Sequence, residues 1–139
     1  SNTYTQMYSK QSQSKLNTCH PLLIDIFTEV GKTFDHTILE GTRDEATQNK
    51  YYEQGLTQVK YPNSKHNSNP SMAVDATPYP INWNDKYRLA IFIGYVLATA
   101  HSILEASPYK LVSGIDWDND TFTKDHSFLD FPHFQLELK

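Results

Sequence analysis

Four side chains in three short stretches have the right types to activate a water for attack on a carbonyl. They are His66 in SKHN, Asp75 in AVDA, and Asp130 with His133 in DFPH. Two imidazoles and a carboxylate form a donor set for a catalytic zinc, which takes three N or O ligands and keeps a fourth position for water. The ion makes that water acidic, and a second carboxylate can take its proton as the water attacks a carbonyl. Asp130 suits this second role, because its three-residue spacing from His133 sets it beside a ligand without making it one. Asp75 interrupts the otherwise apolar AVDAT, and a charge buried in a strand is costly unless something pairs with it. Two partners are open: a cation shared with the histidines, or a salt bridge to Arg43 or Lys65. A single loop histidine is ordinarily a solvated one, so the combination carries the idea rather than any one residue.

These side chains need elements to hold them. In DFPHFQLEL (residues 130–138) the pattern alternates, with His133, Gln135 and Glu137 on one face of a strand and Phe134, Leu136 and Leu138 on the other. AVDAT (73–77) reads as a second strand, with Asp75 facing away from Val74 and Ala76. HTILEG (36–41) and YKLVSGI (109–115) read as two more. HPLLIDIFTEVGK predicts a helix that has Pro21 in its first turn and Gly31 as its stop. DEATQNKYYEQG predicts another, from an Asp44 cap to a stop at Gly55. A long helix is expected from about Asp85 to Ala106. Between them, LTQVKYPNSKHNSNP (56–70) and DWDNDTFTKDHS are loops, where functional groups commonly sit. Residues 1–18 read as a polar N-terminal arm or short helix, and 19–139 as the catalytic domain. Helices and strands mix without a βαβ rhythm, so the expected class is α+β: one domain, helices packed around a small, mostly antiparallel sheet.

Bulk properties exclude several functions. A length of 139 residues suits one domain with a real core. The net charge is -4 and the pI near 5.8, against the clustered Lys and Arg of a nucleic-acid footprint. The longest apolar run, LAIFIGYVLATA, has twelve residues (89–100), too few to span a bilayer. No membrane insertion is expected. The opening SNTYTQMYSKQSQSK lacks the apolar core of a secretory signal peptide. Cys19 is the sole cysteine, which excludes an internal disulfide and a thiolate metal cluster.

In order along the chain stand GTR (41–43), Gln48, SKH (64–66), AVD (73–75) and DFPH (130–133). This succession resembles the Gly-x-Arg, Gln, Ser-x-His, Ala-x-Asp and Asp-x-x-His pattern of zinc peptidases of the D-alanyl-D-alanine carboxypeptidase family. The likeness is greatest to its phage branch, the L-alanyl-D-glutamate endopeptidases that act as endolysins. It covers roughly residues 16–138, with CHPLL resembling the family's first helix. One departure stands out. His66 and Asp75 are nine residues apart where the family has seven, and NSNPSM replaces its glycine turn. The longer loop is expected to bulge outward without moving either ligand.

The resemblance implies a fold of the hedgehog/DD-peptidase type and one zinc ion per chain on His66, Asp75 and His133. It makes Asp130 the base and Arg43 the group that polarises the scissile carbonyl, with a structural ion pair as the alternative for Arg43. Ser64, Gln48 and Trp117 become substrate contacts, Trp117 as a cleft wall. His126 is a candidate spare ligand or proton donor, while His20, His36 and His101 receive no role. The implied substrate is the stem peptide of bacterial peptidoglycan, cut between L-alanine and D-glutamate by a monomer. Such a protein would wait in the host cytoplasm until lysis and would be targeted by its own domain or by a larger assembly. Two alternatives share the fold: a D-alanyl-D-alanine carboxypeptidase, and a non-catalytic zinc-binding domain. The Asp-x-x-His ending favours the endopeptidase over relatives with Glu-x-x-His.

Overall fold

The computed structural model describes residues 8–124 and 129–139, so His126 and the first seven residues lie outside it. Its elements are α1 (Lys10–Leu16), α2 (Pro21–Gly31), β1 (His36–Glu40), α3 (Glu45–Glu53), β2 (Ala73–Pro78), α4 (Lys86–Ile103), β3 (Tyr109–Ser113) and β4 (His133–Leu138). A single 3₁₀ turn, Lys65–Asn67, interrupts the long loop before β2.

Local chemistry explains most boundaries. Pro21 opens α2, and the His20 ring caps it by accepting from the Leu22 N–H at 3.1 Å. Asp44 caps α3 by accepting from Thr47 N–H at 2.8 Å, and Gly55 leaves that segment at φ +74°, a conformation that suits glycine. Asp85 caps α4. That helix ends at Ile103, a few residues short of the expected Ala106. Residues 10–16, within the segment read as a polar arm or short helix, form α1, which buries Leu16 completely and rests on β1. There the Ser12 hydroxyl accepts from Ile38 N–H at 3.1 Å.

The four strands form one antiparallel sheet in the order β1-β2-β4-β3. The class is therefore α+β. Helices α2 and α4 pack against each other over the sheet, and Leu23, Ile26, Phe27 and Val30 of α2 share one core cluster with Phe92, Ile93 and Val96 of α4. Val74, Ala76, Phe134 and Leu136 complete this core. Phe27 and Phe134 meet edge to face with centroids 5.4 Å apart. Burying each such ring contributes about 1.5–3 kcal/mol. Because strand side chains alternate, committing Val74, Ala76, Phe134 and Leu136 to the helices turns Asp75, His133, Gln135 and Glu137 to the other face. Leu138, expected with the apolar set, is 69% exposed at the strand's end.

Candidate metal centre and catalytic cleft

Sheet register assembles the first half of the site. Glu40 stands opposite Asp75, and Asp75 opposite His133, so three strands place one row of functional groups side by side. His66 arrives from the loop. Its 3₁₀ turn is closed at both ends: Ser64 Oγ accepts from His66 N–H at 3.1 Å, and Asn67 Oδ1 accepts from Ser64 N–H at 3.0 Å. Arg43 N–H donates to His66 O at 2.8 Å, and Met72 N–H to Lys65 O at 3.0 Å. The second of these bonds pinches off residues 68–70, which are exposed. The two extra residues between His66 and Asp75 therefore leave the site intact.

His66 Nε2 and His133 Nδ1 each lie 3.1 Å from the same oxygen, Asp75 Oδ1. Hydrogen bonds on the far side of each ring determine what these atoms offer. His66 Nδ1 is 2.7 Å from the Gly41 carbonyl, which can only accept, so Nδ1 carries the proton and Nε2 the lone pair. His133 Nε2 donates to Gln135 Oε1 at 2.8 Å, and that amide's orientation is set by its own donation to Glu137 Oε2 at 2.7 Å. His133 Nδ1 is left as an acceptor. Two lone pairs and a carboxylate thus converge, a set that calls for a metal cation or a shared proton. Their ligand atoms lie within 4.8 Å of one another, and the 3.1 Å separations approach the ~3.3 Å edge of a tetrahedron with 2.0–2.1 Å bonds. The residues fit a zinc-sized ion.

The electrostatics agree. Burial by itself would raise the Asp75 carboxyl, but hydrogen bonds from His133 and His66, and their charge, outweigh it and hold the group far below the usual carboxylate range. Burial lowers the His133 ring, yet the bond and charge of Asp75, the Gln135 bond and the charge of Asp130 raise it overall. Asp130 is pushed up by burial first and by the Asp75 charge second, against the opposing pull of His133, His66 and Arg43.

Asp130 is held at the mouth of β4 by three backbone bonds. Its N–H donates to Gly114 O, Gly114 N–H donates to His133 O, and His133 N–H donates to Asp130 O. A side chain at Gly114 would run into the Asp130 backbone carbonyl, so the closeness of β3 to this turn requires glycine. Gly41 is similar: a Cβ there would strike Lys15 O and Thr18 Oγ1 at the end of α1. The glycine of Gly-x-Arg thereby packs tightly enough to present its carbonyl to His66.

A cleft of about 700 Å³ opens over this row, lined by Arg43, Ser64, His66, Asp75, Trp117, Asp130 and His133 among others. Arg43 is 8% exposed and does form an ion pair. Nε and Nη2 donate to Glu40, Nη1 donates to Gln48 at 2.9 Å, and Tyr51 lies beneath the guanidinium at 4.9 Å. Asp75 Oδ2 is 3.9 Å from Nη2, so the salt-bridge partner weighed for Asp75 is Arg43 rather than Lys65. Three of the five Arg43 donors are used, which leaves one on each terminal nitrogen. Gln48 is completely buried behind Arg43 instead of facing the cleft. Its oxygen accepts from Arg43 and Asn67, and its amide donates to Val59 O at 2.7 Å, so it ties the arginine to the loop. Trp117 is half-buried, with its ring 5.4 Å from that of His133.

Glu40, Gly114, Gln135 and Glu137 were not among the candidates raised by motif, and Gly41 entered only as the glycine of Gly-x-Arg, without a role. The period-two pattern of β4 already placed Gln135 and Glu137 on the face of His133, a signal that could have found them. Nothing local marked Glu40 or Gly114.

The profile of the phage L-alanyl-D-glutamate peptidase family matches residues 5–137. Among solved structures, the chain is similar to the Serratia marcescens L-Ala D-Glu endopeptidase ChiX, with a TM-score of 0.71 and 23% identity. That match covers 96% of this chain and 91% of the other, and it establishes a shared fold. No curated protein matches the chain in sequence.

Proposed function

The chain belongs to the phage L-alanyl-D-glutamate peptidase family, and from that premise we propose that it is a zinc-dependent peptidoglycan endopeptidase cutting between L-alanine and D-glutamate. The observation that carries this reading is the convergence of three acceptors, His66 Nε2, Asp75 Oδ1 and His133 Nδ1, beside a raised carboxyl in an open cleft. These three atoms would hold the ion. When bound, zinc supplies a Lewis acid that makes water nucleophilic at neutral pH.

The chain's own residues supply the rest. Asp130 accepts a proton from the attacking water and returns it to the departing amine of D-glutamate. A carboxylate within reach of both the water and the amine can do both tasks in turn. The two remaining Arg43 donors meet charge developing on the carbonyl oxygen, while Glu40, Gln48 and Tyr51 keep the guanidinium in place. Trp117 and Ser64 line the cleft as substrate contacts. Gln48 acts through Arg43. The working unit is a monomer with one zinc, held in the host cytoplasm until lysis admits it to the wall. Among the described residues no helix is long and apolar enough to cross a membrane.

The test is a digest of purified peptidoglycan, with and without a zinc chelator, read by mass spectrometry. New D-glutamate amino termini that vanish with chelator support the endopeptidase. Free D-alanine would instead mark a carboxypeptidase. Zinc binding without any product would leave a metal-stabilised binding domain.

A further inference from the structure

Any L-alanyl-D-glutamate unit carries one carboxylate that no peptide bond consumes, whichever of the glutamate's two carboxyls continues the chain. The cleft must accommodate that anion or repel it. Its wall already holds three carboxylates, Glu40, Asp75 and Asp130. Among the described residues it offers two cations against them, Arg43 and Lys65. Arg43 is committed to Glu40 and Gln48, with Asp75 at 3.9 Å.

Lys65 differs. It is exposed, it begins the 3₁₀ turn that carries His66, and no described carboxylate pairs with it. Its backbone is pinned, since the Lys65 carbonyl accepts from Met72 N–H at 3.0 Å. The ammonium therefore rides on a flexible four-carbon stem rooted one residue from a metal-site histidine.

We propose that Lys65 is a specificity-determining residue whose ammonium receives the free carboxylate of D-glutamate on the leaving side of the scissile bond. The inference rests on the L-alanyl-D-glutamate reading above and deepens it. Without the lysine, a fourth carboxylate would enter beside Glu40, Asp75 and Asp130 and compete for the two Arg43 donors assigned to the carbonyl oxygen, and like charges at close range repel. Amidation of the glutamate to D-isoglutamine removes the charge that Lys65 reads. The enzyme is therefore a charge-discriminating one that prefers the free acid.

Two peptides that differ only at this group test the idea: acetyl-L-alanyl-γ-D-glutamyl-L-lysine and its D-isoglutaminyl counterpart. Cleavage is measured with the zinc-loaded full chain. Binding is measured by calorimetry on the Asp130→Asn variant, both zinc-loaded and zinc-free. A charge-assisted contact predicts that the wild type favours the acid by about tenfold to a hundredfold in kcat/KM. Lys65→Gln should erase the preference by raising KM for the acid alone, and Lys65→Arg should keep most of it. Lys65→Glu should reverse it, and salt should weaken it. A wild type without preference would overturn the proposal, as would Lys65→Gln affecting both peptides equally or leaving the preference intact. If neither peptide is cut, the catalytic reading fails and the binding data still decide: an acid preference that disappears with Lys65→Gln supports the lysine, and no preference refutes it.

Discussion

Gln135→Met gives a quantitative test of the metal centre. Methionine has nearly the length of glutamine and lacks its amide, so the strand keeps its packing. What goes is the acceptor 2.8 Å from His133 Nε2, together with the 2.7 Å bond that aligned it on Glu137. His133 is 8% exposed, so its Nε2–H finds little water in exchange, and leaving a buried donor unsatisfied costs about 1–3 kcal/mol. The penalty falls hardest on the metal-bound state, where Nδ1 must be the lone-pair atom and Nε2 must keep its proton. Without metal the ring can protonate Nδ1 toward Asp75 and recover part of the loss. Zinc affinity should therefore drop by about 10–100-fold, the range for loss of a ligand-orienting partner. Competition against a chromophoric chelator measures the change, and Gln135→Glu, which keeps an oxygen acceptor but loses the N–H that bonded Glu137, should restore the affinity only in part. A zinc dissociation constant within twofold of wild type for Gln135→Met would refute the assigned tautomer and the relay through Glu137.

Asp130→Asn should lower kcat by about 10²–10⁴-fold with zinc content unchanged by elemental analysis; loss of zinc would make Asp130 a ligand instead of a base. Gly114→Ala forces a methyl against the Asp130 carbonyl, and a shift of about 1 Å in the base is expected to cost on the order of a hundredfold in kcat, while circular dichroism stays native. For pH, the sign follows from His133. Its folded value is raised, so its stabilisation is complete below the ordinary histidine value of about 6.5 and is lost as pH climbs through the raised one. Asp130, also raised, acts in the same sense at lower pH. Asp75, held low, keeps its contribution until strongly acidic pH. Metal-free protein should therefore lose thermal stability as pH rises above about 6.5, whereas the increment from zinc should grow over the same rise because binding releases the His133 proton. Melting curves with and without chelator read both slopes, and the same slope in each would contradict the shared-proton picture.

Most elements and the chemical types at the site were legible from neighbours along the chain. Helix starts at Pro21 and Asp44, the turn at Gly55, and the alternation in AVDAT and HFQLEL are local signals, carried by residues that touch within a turn or along one strand. The order of the short motifs likewise pointed to His66, Asp75, Asp130 and His133. Tertiary structure alone decided how these groups meet. The register that sets Asp75 against His133 joins residues 58 apart, and the His66 tautomer depends on a carbonyl 25 residues away. Gln48 illustrates the same limit. Its helical position was readable, but its complete burial behind Arg43 depends on where Val59 and Asn67 close over it. Gly114 could not be singled out in advance, nor the reason for the glycine of Gly-x-Arg at 41, because the atoms that forbid a side chain at each come from the approach to β4 and from the end of α1. Periodicity and capping are properties of neighbours in the chain. Tautomers, oriented guanidinium groups and close backbone approaches are properties of neighbours in space, and only the packed fold brings those together.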